Sequence, residues 1–181
     1  VNGPGYQFES EHTQVNIGPS LRYAHLFNTE IHPSEGTTIL VLLPIWDDVV
    51  SNILRILCEI DWTMPVEIKF HPSTNQKILK TRLPKKCLVT DKSLPELLMR
   101  AQIVIGGGSG SQVEAAALGI PVIDIQEPNR FSYSCMPEIG RSILWDRATD
   151  AEGVTEIVNR FQEALLLTPL QLKEEGTRLK S

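Results

Sequence analysis

The stretch Ile103-Val104-Ile105-Gly106-Gly107-Gly108-Ser109-Gly110-Ser111-Gln112-Val113-Glu114-Ala115-Ala116-Ala117-Leu118-Gly119-Ile120-Pro121-Val122-Ile123-Asp124-Ile125 decides how the rest of the chain is read. Ile103 to Ile105 is a β-branched run, as expected of a parallel strand buried on both faces. Gly106 to Gly108 then permit a sharp turn and close approach of backbone to a ligand. Ser109 or Ser111 is placed to cap the helix that follows, and Ala115 to Leu118 are good helix formers. Gly119 stops the helix, and Pro121 stands at the start of the next strand. N–H groups and two hydroxyls thus meet at a helix N-terminus, where the dipole favours an anion. The expectation is a phosphate or diphosphate on this loop; the alternative is a turn that only packs strand against helix. No Lys follows the last glycine, which excludes a P-loop, and Ser111 holds the third glycine position of a dinucleotide fingerprint.

Working outward, Thr37 to Ile45 reads as a buried strand. Asp47 or Asp48 is expected to cap a helix through Ile60, with Val49, Val50, Ile53, Leu54, Leu57 and Ile60 at helical spacing. A strand over 66–70 ends at His71-Pro72-Ser73, and a basic helix is predicted over 74–83. A short strand over 87–90 precedes a helix capped by Ser93, with Pro95 in its first turn. Downstream, Gln126 to Pro137 is irregular, 142–145 reads as a strand, and Asp150 opens a long helix. Val154, Ile157, Val158, Phe161 and Leu165 form that helix's apolar face, and Pro169 ends it. The last residues read as a short charged helix or a frayed end. Strands at 37–45, 66–70, 87–90, 103–105, 122–125 and 142–145 predict an α/β fold: a doubly wound, mainly parallel, six-stranded Rossmann-like sheet. The order 3-2-1-4-5-6 places a ligand crevice at the carboxyl ends of the strands, where the first and fourth diverge. Residues 37–168 are expected to form this domain, with 1–36 an irregular arm or inter-domain linker and 169–181 a C-terminal tail.

Composition narrows the class. With 41% apolar and 22% charged residues, the chain of 181 is an ordinary globular one. A net charge of −5 argues against a protein that coats nucleic acid. Cys58, Cys87 and Cys135 show no metal-ligand spacing, and no such site is expected; an odd set of separate thiols reads as a reducing, cytoplasmic location. No apolar run reaches membrane-spanning length.

The run Gly107-Gly108-Ser109-Gly110-Ser111-Gln112-Val113-Glu114-Ala115, continued by Gly119-Ile120-Pro121-Val122, resembles the signature of the C-terminal, nucleotide-sugar-binding half of GT-B glycosyltransferases and UDP-N-acetylglucosamine 2-epimerases. His71-Pro72 is similar to the HP motif of bacterial sialyltransferases and CDP-glycerol-type polymer transferases, whose paired-hydroxyl motif Ser109 and Ser111 also match. The resemblance covers about residues 37 to 167. It implies a donor diphosphate on the Gly107–Ser111 backbone, ribose hydroxyls on Glu114, and His71 at the phosphate. The donor implied is a UDP-, CDP- or CMP-linked sugar acting as substrate, with no separate cofactor. A complete enzyme of this type carries a preceding domain with the acceptor site and usually the catalytic base. That domain is missing from this sequence, so the catalytic residues are unknown and the chain alone is expected to be inactive.

Each candidate also has a plainer reading. His71 is either a turn histidine or a donor to phosphate. Glu114 is either a solvated helix residue or a ribose acceptor. Asn129 and Arg130 lie on the loop after the fifth strand, where a guanidinium suits a phosphate. Phe131 and Tyr133 read first as loop packing, and Asp47 as a helix cap beside Trp46. Lys77, Lys80, Arg82, Lys85 and Lys86 read as a solvated basic face, with peripheral contact to anionic lipid as the minority reading. The functional expectation is a metal-independent glycosyltransferase donor domain in surface polysaccharide or glycoconjugate assembly. The alternatives are an epimerase of the same fold and a non-catalytic nucleotide-binding or partner-docking domain. A dinucleotide reading, with Glu127 on the ribose, also stands.

Overall fold

A computed structural model describes residues 29–74, 83–84, 87–128 and 134–180. A single 3-10 turn, Pro33–Glu35, leads into β1 (Thr38–Leu42). There follow α1 (Asp47–Cys58), β2 (Val66–Lys69), β3 (Cys87–Val89), α2 (Leu94–Leu98), β4 (Ala101–Gly106) and α3 (Gly110–Ala117). The chain closes with β5 (Val122–Ile125), β6 (Trp145–Ala148), α4 (Ala151–Leu167) and α5 (Pro169–Lys180). Residues 1–28 of the arm expected over 1–36, and most of the basic helix expected over 74–83, lie outside the described residues.

The sheet has six strands in the order β3-β2-β1-β4-β5-β6, every pair parallel. This is the doubly wound Rossmann-like order expected from the alternation of strands and helices. The chain steps one way from β1 to β3 and the other way from β4 to β6. Right-handed crossovers therefore put helices on opposite faces. All five residues of β1 and all four of β5 are buried, as covered faces on both sides require. Val50, Ile53, Leu54, Ile56 and Leu57 bury the inner stripe of α1, and Val154, Ile157, Val158, Phe161 and Leu165 that of α4.

Register aligns the carboxyl ends. Lys69, Leu42, Gly106, Asp124 and Arg147 stand in one row across β2, β1, β4, β5 and β6. At the opposite edge, β2 carries Glu67, only 6% exposed, whose carboxylate takes the Arg100 guanidinium from the turn before β4.

Two local expectations change. The last strand is Trp145–Ala148, not 142–145, because a turn occupies 139–144 with Gly140 at φ 76 and Ser142 at φ 66, left-handed conformations a strand cannot hold. Trp46, not an aspartate, is the N-cap of α1 and makes no side-chain cap bond; Asp47 and Asp48 instead lie in the first turn, facing the dipole. Of the two readings of the final segment, the charged helix holds: α5 buries Leu172, Glu175 and Gly176. A Cβ on Gly176 would stand 2.7 Å from the Gly119 nitrogen and 2.9 Å from the Ala116 oxygen, so α5 lies directly on the end of α3.

Candidate functional site

The loop that follows β4 is built by two kinds of glycine. Gly106 and Gly107 are buried in the packing. A Cβ on Gly106 would meet the Leu42 oxygen at 2.9 Å and the Gln112 side chain at 3.0 Å. One on Gly107 would meet the Ile125 oxygen at 2.9 Å and Ile53 at 3.3 Å. These two positions let α1, α3 and β5 close around the end of β4. Gly108 differs: it is half-buried and holds φ 70, the left-handed turn that swings the chain into α3.

Ser109 is the N-cap. Its hydroxyl accepts from Ser111 N, and Gln112 Oε1 accepts from Ser109 N at 3.0 Å, a reciprocal capping box. The Ser109 and Ser111 hydroxyls retain their own protons for a further acceptor. Among the described residues, the N–H groups of Gly108 and Gly110 have no hydrogen-bond partner. The first turn of α3 carries no acidic residue, whereas that of α1 carries Asp47 and Asp48. The described helices that follow β3 and β6 also carry a first-turn acid, Glu96 in α2 and Glu152 in α4. Among the described helix starts at this end of the sheet, only that of α3 therefore keeps its positive end uncompensated by a first-turn carboxylate.

Glu114 is half-buried, one turn beyond the helix start and three residues after Ser111, so the two share a face of α3. The opposite face, with Gln112, Ala115 and Ala116, is buried. His71 follows β2 at the same carboxyl edge and is exposed; its Nδ1 accepts from Ser73 N at 3.2 Å. It is a turn histidine in this structure, with Nε2 as the nitrogen that can face a ligand. Two strand spacings, about 10 Å, separate the β2 and β4 ends that carry His71 and the glycine loop. Thr74, 7% exposed, donates to the Pro44 oxygen at 3.2 Å and ties the His71 turn to the loop bearing Trp46. Ile45 and Trp46 are 44% and 49% exposed on that rim. Asn129, Arg130, Phe131, Tyr133 and the basic run at Lys77, Lys80, Arg82, Lys85 and Lys86 lie outside the described residues. Among those described, no group of His, Cys, Asp and Glu is placed to hold a metal ion, and no helix is long and apolar enough to cross a membrane.

No protein-family model matches the sequence, and no curated protein does. Solved structures do. SnogD, a glycosyltransferase from Streptomyces nogalater, is 19% identical over 93% of this chain and 45% of its own, with a TM-score of 0.50. The wall teichoic acid polymerase TagF is 13% identical over 87% of this chain and 42% of its own, with a TM-score of 0.53. UDP-GlcNAc 2-epimerase from Methanocaldococcus jannaschii, solved with UDP-GlcNAc and UDP, is 19% identical over 88% and 47%, with a TM-score of 0.55. The chain has the fold of one half of a GT-B protein. It spans less than half the length of each of these three structures.

Within this GT-B half, the sequence reading missed what lies behind the loop. Gln112 and Asp124 are wholly buried, and Gln112 Nε2 donates to Asp124 Oδ1 at 3.2 Å. Gln126 Nε2 and Ser134 Oγ donate to Asp124 Oδ2 at 2.7 and 2.6 Å. The one signal in the sequence was a carboxylate inside an otherwise apolar strand, which requires hydrogen-bonded partners.

Proposed function

We propose that the chain is the donor-binding domain of a GT-B-type glycosyltransferase that works in surface polysaccharide or glycoconjugate assembly. The observation that carries this reading is the start of α3. A left-handed glycine, two hydroxyls and N–H groups with no other partner among the described residues sit at a helix end free of first-turn acid, where β1 and β4 diverge. A nucleoside diphosphate fits this chemistry, its phosphates on Gly108 to Ser111, its ribose diol on Glu114, and His71 reaching toward the phosphates from β2. A nucleotide-linked sugar then projects beyond the sheet edge toward a companion domain. In transfer, an acceptor oxygen bonds to the anomeric carbon while the bond from that carbon to the phosphate oxygen breaks. The leaving nucleotide keeps the electron pair, and the loop N–H groups stabilise the charge that develops on it. The acceptor site and the base that takes the acceptor's proton are assigned to the companion domain, in the same cytoplasmic compartment as the donor.

An epimerase acting on a UDP-sugar is the second reading, favoured by the match to the M. jannaschii enzyme, whose structure holds UDP-GlcNAc and UDP. Calorimetric titration of the chain with UDP, CDP and CMP tests the shared part. One of them is expected to bind the 181 residues with a Kd on the order of 0.1–1 mM, since on this reading a companion domain supplies the other wall of the cleft. No saturable heat from any of the three would overturn the nucleotide reading. With the full-length protein, sugar transfer to an added acceptor supports the transferase, and conversion of UDP-GlcNAc to its epimer supports the alternative.

A further inference from the structure

Asp124 is a buried carboxylate that three separate parts of the chain address. It stands in the row Gly106–Asp124–Arg147 at the carboxyl end of β5 and is 0% exposed. Because Gly106 has no side chain, Gln112 can lie across the end of β4 and reach it; a Cβ there would be 3.0 Å from Gln112 Cδ. A carboxylate only accepts, so it decides which way round the Gln112 amide sits: the NH2 end on Asp124, the oxygen end on Ser109 N–H. That bond is half of the capping box that shapes the loop after β4. The other carboxylate oxygen takes Gln126 and Ser134, both in the connection between β5 and β6, and Ser134 Oγ accepts in turn from Met136 N at 3.2 Å.

We propose that Asp124 is a positioning residue of the nucleotide site, setting the start of α3, Gln126 and Ser134 as one unit, so that a ligand on the loop and the chain at residues 126 and 134 respond together. This rests on the reading of α3 as the phosphate-binding helix. The physical basis is the satisfaction of a carboxylate that is itself 0% exposed. Rotating Gln112 would aim its NH2 at the Ser109 N–H and its oxygen at a carboxylate. Moving Ser134 or Gln126 would strip donors from a buried charge. Each member therefore holds the others in place, as in a fully satisfied buried network. Ser109 N–H is turned inward by this arrangement, which leaves Gly108, Gly110 and the two serine hydroxyls to face a ligand.

The test is an amide NMR titration of the chain with UDP, alongside its Kd. In the wild type, UDP is expected to shift the amides of Gly108 to Ser111 and also those of Gln126, Ser134 and Met136. In Asp124→Asn, an acceptor position becomes a donor; the second set is expected to stop responding and the Kd to rise at least tenfold. Unchanged affinity with both sets still shifting would overturn the inference. Should that variant not fold, Ser134→Ala serves: it is expected to move the Ser109 and Gly110 amides without ligand and to weaken UDP about threefold, with Ser134→Thr restoring both. Unmoved Ser109 and Gly110 amides in folded Ser134→Ala would equally overturn it. If wild-type loop amides ignore UDP, CDP and CMP, the nucleotide reading fails, while the ligand-free shifts in Ser134→Ala still decide the coupling.

Discussion

Replacing Glu114 by alanine separates nucleoside recognition from phosphate recognition, because only the ribose-bearing ligand should be weakened. Among the described residues the Glu114 carboxylate makes no hydrogen bond or ion pair, and the residue is half-buried on α3. Alanine is a slightly better helix former, so stability should change by less than about 0.5 kcal/mol and Tm by less than roughly 2 °C. A ribose diol bonded to the carboxylate loses about 1–3 kcal/mol, which raises the UDP Kd roughly 5- to 150-fold. Pyrophosphate has no ribose. Four residues along α3, about 6 Å, separate Glu114 from the helix start. Two unit charges at that distance repel by about 0.7 kcal/mol in water. Removing the carboxylate should therefore leave pyrophosphate binding unchanged or tighten it up to about threefold. Parallel calorimetric titrations of both ligands check this. A UDP Kd within twofold of wild type, or equal weakening of UDP and pyrophosphate, would refute the placement of ribose on Glu114.

Three further predictions concern the frame around the site. Gly107→Ala should cost about 1–3 kcal/mol by overpacking against the Ile125 oxygen, Ile53 and Val49, read as a lower urea midpoint; an unchanged midpoint would mean the wall yields. Gly176→Ala should lower Tm and strip hydrogen-exchange protection from α5, although alanine favours a helix by about 1 kcal/mol; a higher Tm would contradict the direct backbone contact with Gly119 and Ala116. Burial first, and then the Cys58 charge, pushes the Cys87 thiol from 9.0 to about 11. The folded chain thus holds that proton more tightly than the unfolded one, so this contribution is complete below about pH 9 and lost as pH rises toward 11. Urea midpoints across pH 8 to 11 should fall less steeply in Cys87→Ala, and identical slopes would count against it.

The topology was legible in the sequence because its rules are local or nearly so. Alternating apolar strands and amphipathic helices, joined by short connections, leave right-handed crossovers and one parallel order as the economical solution. The Gly-Ser loop, its cap and Glu114 were legible for the same reason, since every group lies within one strand–turn–helix unit. Glycine chemistry was ambiguous there. Sequence cannot distinguish Gly107, excluded from a side chain by Ile125 and Ile53, from Gly108, which needs its left-handed φ. The end of β6 was misplaced because Ile143 and Leu144 look like strand residues, while the left-handed Gly140 and Ser142 make a turn that only the packing of Leu144 and Trp145 rewards. Asp124 was hidden for a related reason. Its partners lie 12 residues back, 2 ahead and 10 ahead, and they meet only because Gly106 leaves room for Gln112 to cross the end of β4. Strand order and the local binding loop follow from pattern. The orientation of that loop depends on a buried charge whose partners are brought together by sheet register, and register is a property of the folded chain.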